Sequence, residues 1–423
     1  MKPLALAFAF SFAAQSAWGQ AGVLRPFRSS GKSDSDKRER EKEREKPEPE
    51  KKEKKPGKET KTEPSKAKDE KPPEPGDRDH FTFTDDVKAV AFSAEGRYAA
   101  ARGPDGGPDR VKIWDTRERR MHLVLEAGWS GTPETLAVGP DGDTIASGDG
   151  SDIALWDMET GQPWRRFEDK APSTGALAFD PKTKYFAGVM GTRVLIWPLE
   201  QKRRNDENAA LSWPDSAEIR ALSFSPDGKM LAAIGFRSPQ RTRGQIDVLD
   251  PATGGVIKTL QDAEVGFFCG GFSRNGRVLV SAGVRPTPDG PRAELVFWSV
   301  STWKVLLRIP TNINGEVFGT AFSPDGLSLV AVIGGHAGMP VFDLRNGKVL
   351  RTIPGVSVER HGDVAVSGDG RFVIAGGHKE ARFWPASAVF GSGAAVKQKP
   401  KSRARSGRRR APAESAPVPD ARQ

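Results

Sequence analysis

Between residues 86 and 385 the apolar and polar positions follow one phrase that recurs seven times. Each copy opens on two residues spaced two apart: Val90/Phe92, Leu136/Val138, Leu177/Phe179, Leu222/Phe224, Gly270/Phe272, Thr320/Phe322 and Val364/Val366. A period of two places both side chains on one face of a strand. A tight turn follows, as in Pro226-Asp227-Gly228-Lys229 or Gly368-Asp369-Gly370-Arg371, where proline presets φ, Asp bonds its own backbone and Gly accepts positive φ. A second, small apolar strand comes next, as in Met230-Leu231-Ala232-Ala233-Ile234. The third ends in Trp114-Asp115, Trp156-Asp157, Trp197-Pro198, Leu249-Asp250, Trp298-Ser299, Phe342-Asp343 or Trp384-Pro385. Residues 121–125, 256–260, 305–309 and 349–353 supply a fourth strand.

Counted at the Trp position the copies are 42, 41, 52, 49, 44 and 42 residues apart. A period near 40 residues with four strands per unit predicts an all-β protein, a seven-bladed β-propeller of four-stranded antiparallel blades. Residues 386–391 are too short and Gly-rich for the fourth strand of the last unit. The alternating stretch His80-Phe81-Thr82-Phe83-Thr84 has no unit of its own. It is predicted to fill the outer edge of blade seven, which would join the chain ends and remove an open sheet edge.

The Trp-Asp strand ends, the Pro-Asp-Gly turns and the period make about 300 of the 423 residues resemble the WD40 family. The family's Gly-His pair before the first strand is missing, and Pro198, Ser299 and Pro385 stand where it has Asp. These departures put the family's Asp-His-Ser/Thr-Trp hydrogen-bond network in doubt and keep the YVTN and quinoprotein-like propellers as neighbours. The resemblance implies a binding scaffold with no cofactor.

Charge separates the propeller from its flanks. The formal net charge is +10, yet residues 80–396 carry 36 Lys/Arg against 37 Asp/Glu, whereas residues 397–423 carry nine against two. Lys2, the apolar run from Leu4 to Ala14 and Ala17-Trp18-Gly19 read as a signal peptide over 1–19, hence export to the periplasm, envelope or medium. Eleven apolar residues are too few for a lasting transmembrane anchor. Residues 20–79 form a Lys/Glu/Pro-rich linker that buries too little apolar surface to fold. The propeller is assigned to 80–390. Residues 391–423 are a disordered basic tail, expected to touch polyanions non-specifically through counterion release.

No catalytic or metal-binding constellation stands out. His80, His122, His336, His361 and His378 lack ligand spacing, and the lone Cys269 reads as a buried small side chain. Asp86, Glu218 and Glu316 share one register and could ring a channel mouth. The loops between second and third strands are lengthened in blades one (102–110), four (237–244) and five (285–292). Those of blades four and five are expected to gather Arg237, Arg241, Arg243, Arg285 and Arg292 into a partner-binding surface, insertions on one face of a repeat array being a common place for recognition. The resulting expectation is a monomeric, non-catalytic exported scaffold that binds a protein partner, with the tail as an electrostatic tether. The alternatives are a propeller-fold enzyme, either a hydrolase or a quinone-dependent oxidoreductase, and a small-ligand or glycan sensor.

Overall fold

The alternating strands pair into seven antiparallel sheets of four strands each. The computed structural model describes residues 80–391 apart from 107–108, 127–134, 149–151, 169–172, 200–207, 214–216, 238–240 and 359–360. The expected signal peptide, the linker and the basic tail beyond Gly391 lie outside the described residues.

The inner strands, Ala89–Phe92, Leu136–Val138, Ser173–Phe179, Glu218–Phe224, Gly266–Phe272, Val317–Phe322 and Asp363–Val366, contact one another in a closed ring. Convergence at the axis limits side-chain size. The residues just before the last member of each apolar pair are Ala91, Ala137, Ala178, Ser223, Gly271, Ala321 and Ala365. A Cβ added at Gly271 would stand 3.0 Å from the Ser223 hydroxyl of the preceding blade. Larger side chains pack further out, where blades diverge.

The turns have a common chemistry. In blades four to seven Ser225, Ser273, Ser323 and Ser367 donate their hydroxyls to Asp227, Asn275, Asp325 and Asp369 of the same turn. Positive φ falls on Gly96, Gly142, Gly228, Gly276, Gly326 and Gly370, and in blade three on Thr183, at 56°. The Asp that ends a third strand has a local task. Asp157 Oδ1 accepts the Glu159 and Thr160 amides at 3.0 and 2.8 Å, and Asp115, Asp250 and Asp343 hold their turns likewise. Ser299 does the same through its hydroxyl, to the Thr302 amide at 3.2 Å, which explains why Asp is dispensable there.

The strand His80–Thr82 pairs with Glu380–Pro385 as the outer strand of blade seven, as its alternation predicted. Phe81 is buried edge-on against Trp114 and Phe383, with ring centroids 5.7 and 5.2 Å away. Two more contacts clasp the seam between blades seven and one. His378 Nδ1 lies 2.8 Å from Asp86 Oδ1 near the end that carries the blade connections, and Asp363 Oδ2 accepts the Val90 amide at 3.1 Å near the axis. Residues 386–390 form a short helix, Ala386–Phe390, that buries Val389 and Phe390 against blades six and seven.

Strand direction alternates within a blade, so the propeller has two distinct faces. The upper face carries the hairpins between second and third strands and the connections between blades. The lower face carries the Ser-Pro-Asp-Gly turns and the turns after the third strands.

Candidate functional site

The upper face of blades four and five holds all five arginines singled out in the sequence, but most of their charge is already committed. In blade four, Arg237 closes the hairpin, its amide donating to the Arg243 carbonyl at 2.9 Å. Its guanidinium lies 3.9 Å from Asp247 and over the Trp213 ring. Asp247 is buried and also accepts the Trp213 indole N–H at 2.7 Å and the Gln245 amide at 2.6 Å. Arg241 reaches Glu218 at 4.0 Å and sits over Phe236. The Arg243 side chain is exposed and pairs with no carboxylate among the described residues.

The blade-five segment is not a loop. The second and third strands, Val278–Thr287 and Gly290–Ser299, run ten residues each, and Arg285 and Arg292 face one another as cross-strand partners. A long ladder forms because Val284 and Ala293 extend the alternation past the point where other blades turn. Arg285 grips Glu294 with two bonds, Nε–Oε2 at 2.6 Å and Nη2–Oε1 at 3.0 Å, and touches Glu264 at 3.0 Å. Glu294 is 1% exposed and also accepts from Arg308 Nη1 at 3.0 Å, while Arg308 Nη2 bonds Asp262. The hydrogen bond to Glu294 raises the pKa of Arg285. Burial works against the charge of Arg308, but Asp262 and Glu294 outweigh it and raise its pKa as well. Arg292 donates to the Asn312 carbonyl at 2.9 Å.

The blade-four hairpin meets the inner strand of blade five through backbone. A Cβ at Gly266, on the blade-five inner strand, would fall 1.6 Å from the Arg241 carbonyl, so the blade-four hairpin leans directly on blade five. The result is a ridged, polar surface with carboxylates set among the arginines. Sequence reasoning found the arginines but missed Glu294, Asp262, Arg308, Asp247 and Trp213, which converge from different strands and blades.

The other candidates separate. Asp86 is buried against His378, Glu218 pairs with Arg220 at 2.6 Å and with Arg241, and Glu316 is half-buried. They do not act as one open ring. His378 thus pairs with Asp86. Asp85, Asp86 and His378 are the group among the described residues whose ligand atoms lie within 4.8 Å of one another. There the Asp86 amide donates to Asp85, so the trio is knit by its own hydrogen bonds.

Near the axis, burial pushes the Cys269 thiol up to about 12, which leaves it protonated and unreactive. Burial likewise pushes the Asp363 carboxyl up to about 7, against the lowering effect of the Val90 and Val364 amides it accepts. The residue opens the inner strand of blade seven, Asp363–Val366, and is half-buried there. The family's hydrogen-bond network survives in part. The Trp156 indole donates to Ser147 at 3.1 Å and Trp298 to Ser281 at 2.9 Å, while in blade three Gly188 stands at the serine position.

No protein-family model matches the chain. It is 29% identical over 167 residues to the small ribosomal subunit protein RACK1 of Caenorhabditis elegans, covering 36% of this chain and 50% of that protein. It is 31% identical over 141 residues to cross-pathway control WD-repeat protein 2 of Flammulina velutipes, covering 32% and 44%. With human WD repeat-containing protein 90 it shares 22% identity over 313 residues, 70% of this chain and 17% of that protein. The matches thus span half or less of those relatives' own lengths. Among solved structures, the β-propeller domain of Cps50 (Swd1) from Myceliophteria thermophila superposes with a TM-score of 0.58 at 16% identity, covering 72% of this chain and 98% of that one. A chain of Kuenenia stuttgartiensis hydrazine synthase superposes at 0.60 and 16%, covering 70% and 94%. At such identity both speak for the fold alone. Repeat, strand order and WD-repeat relatives agree: the chain is a WD40-type seven-bladed β-propeller.

Proposed function

We propose that the protein is a non-catalytic exported scaffold whose upper face at blades four and five binds a protein partner. The observation that carries this reading is the long blade-five hairpin beside the blade-four loop, braced by Glu294, Asp262 and Asp247 so that its polar groups are held in place before any partner arrives. Pre-organisation of this kind lowers the ordering cost of binding. WD-repeat propellers commonly serve as protein-interaction platforms, which fits the relatives. Export rests on the N-terminal Lys2, the apolar run after it and Ala17-Trp18-Gly19; no helix among the described residues is long and apolar enough to cross a membrane. In this reading the basic tail adds a salt-sensitive tether.

The test is affinity capture from envelope fractions with the wild type and an Arg243→Glu/Arg292→Glu variant, leaving Arg285 in its pair with Glu294. At least one protein should be held by the wild type and lost from the variant while the thermal midpoint stays put. If every captured protein is retained, the upper face is not the binding surface.

A further inference from the structure

The lower rim of blades four, five and six carries a repeated device that the upper face lacks. At the start of each outer strand stand two exposed aliphatic residues: Val256 and Ile257, Val305 and Leu306, Val349 and Leu350, between 40% and 58% exposed. In all three the ladder with the third strand is interrupted at the same place. Leu249 pairs with Val256 and Val248 with Lys258, which skips Ile257; Leu306 and Leu350 are skipped in the same way. A β-bulge leaves one residue unpaired and re-aims its side chain. Here the residue so released is an aliphatic one at the edge of the molecule. An apolar side chain at a bulge gains no packing that would explain its recurrence.

Each pair has its own cation next to it. Lys258 follows Ile257, Lys304 precedes Val305, Lys348 precedes Val349 and Arg351 follows Leu350; all four are exposed and none has a carboxylate within ion-pair reach among the described residues. Across the lower turns and outer-strand starts of these blades (225–230, 250–259, 273–278, 299–307, 323–328 and 343–351) there are eight Lys/Arg against four Asp. All four are occupied within their own turns, Asp227 with Ser225 and the Lys229 amide, Asp250 with the Ala252 amide, Asp325 with Ser323 and the Leu327 amide, and Asp343 with Arg345. Blade two repeats the bulge with Trp164, 51% exposed, but its lower turns hold Asp141, Asp143, Asp157 and Glu159. Blade one repeats it too, but there the skipped residue is His122, and Arg97, Arg117 and Arg120 of its lower turns pair with Asp115, Glu95 and Glu118. Aliphatic residues released beside unpaired cations therefore single out blades four to six.

Successive blades are turned by a seventh of a circle, so the three aliphatic pairs cannot converge on one pocket. They do share one end of the propeller, and a flat surface can meet all three together. We propose that the lower rim of blades four to six docks on an anionic phospholipid surface, with Ile257, Leu306 and Leu350 entering the interface and Lys258, Lys304, Lys348 and Arg351 meeting the headgroups. Apolar side chains flanked by Lys and Arg are the composition that binds such interfaces, each cation adding attraction to a negatively charged leaflet. The inference concerns the face opposite the partner surface and stands or falls independently of it.

The experiment uses the full chain and vesicles of phosphatidylcholine with or without phosphatidylglycerol. A polarity-sensitive fluorophore on Leu306→Cys labels selectively, since Cys269 is buried. Its emission should shift to the blue with the anionic vesicles, not with the neutral ones, and revert in high salt. In cosedimentation, Ile257→Ser/Leu306→Ser/Leu350→Ser should weaken partition by about tenfold or more. A second variant with the Lys and Arg of residues 397–410 replaced by Gln removes attraction by the tail and should keep the fluorescence shift. Arg243→Glu/Arg292→Glu should leave it unchanged. Cosedimentation with the label still in water would mean that the tail alone holds the protein, and the proposal would fail. It would fail equally if the emission shifted with protein concentration in the absence of vesicles, the sign of a contact between two copies, or responded only to a captured protein.

Discussion

The upper face of blade five and the lower rim of blades four to six are both rich in cations, and they use them in opposite ways. Above, Arg285 and Arg308 surround the buried Glu294 and reach Glu264 and Asp262. Below, Lys258, Lys304 and Lys348 stand in solvent beside aliphatic side chains left unpaired by bulges. The difference shows that a count of arginines and lysines does not locate an electrostatic surface. What matters is whether the carboxylates that would neutralise them are folded in beside them. The upper cations shape a rigid polar relief, while the lower ones keep their field for something outside the molecule.

The contrast breaks most readily at Glu294. Replacing it by Ala leaves two guanidinium groups facing a cavity, and removal of one member of a buried ion cluster is far costlier than loss of an exposed pair. Since Asp262 and Glu264 remain, a loss of about 3 kcal/mol is expected in urea or thermal unfolding, against less than about 0.5 kcal/mol for Leu306→Ser on the lower rim. Equal effects at the two sites would show that the upper cluster is as loosely held as the lower rim.

The axis offers a second, smaller test through pH. A carboxyl whose folded pKa is raised holds its proton more tightly in the folded chain than in the unfolded one. Its contribution is thus fully present below the unfolded value of 3.8 and is lost as pH rises through about 7. Asp363 clasps blade seven to blade one, so the seam should weaken from mildly acid to mildly alkaline conditions. The stability difference between pH 5 and pH 8 should be about 2 kcal/mol smaller in Asp363→Asn than in the wild type, allowing for the open part of its surface. An unchanged pH profile would mean that Asp363 ionises as an ordinary surface carboxyl does.

Much of this architecture is legible along the chain because propeller blades are local. A blade is one run of some forty residues, and its period, its turns and the surplus strand at His80–Thr82 are all written in consecutive positions. The upper-face cluster is not local. Arg308 lies 46 residues from Asp262 and 14 from Glu294, and no spacing rule joins an outer strand to the preceding blade connection. The lower rim had a signal that alternation alone passes over. Consecutive aliphatic residues, as in Val305-Leu306-Leu307, break period two on an edge strand, and that break is where the bulge sits. The Ser299 turn shows the converse: an apparent departure from the Trp-Asp pattern that preserves its hydrogen bond.

The smallest test concerns the rigidity of the lower turns. Six of the seven Ser-Pro-Asp-Gly turns place glycine at positive φ, and blade three places Thr183 there. A β-branched residue in the left-handed region brings its Cβ against the backbone, a penalty glycine avoids. Among the described residues Thr183 has no side-chain hydrogen bond that would offset the strain, its amide bonding the Asp180 carbonyl at 2.9 Å as any residue could. Glycine loses more freedom on folding, which returns part of the gain. Thr183→Gly should therefore stabilise the propeller by about 1 kcal/mol, raising the unfolding midpoint with the m-value unchanged. A lowered midpoint would show that blade three relies on the threonine side chain itself, and the lower turns would then be less uniform than their shared backbone implies.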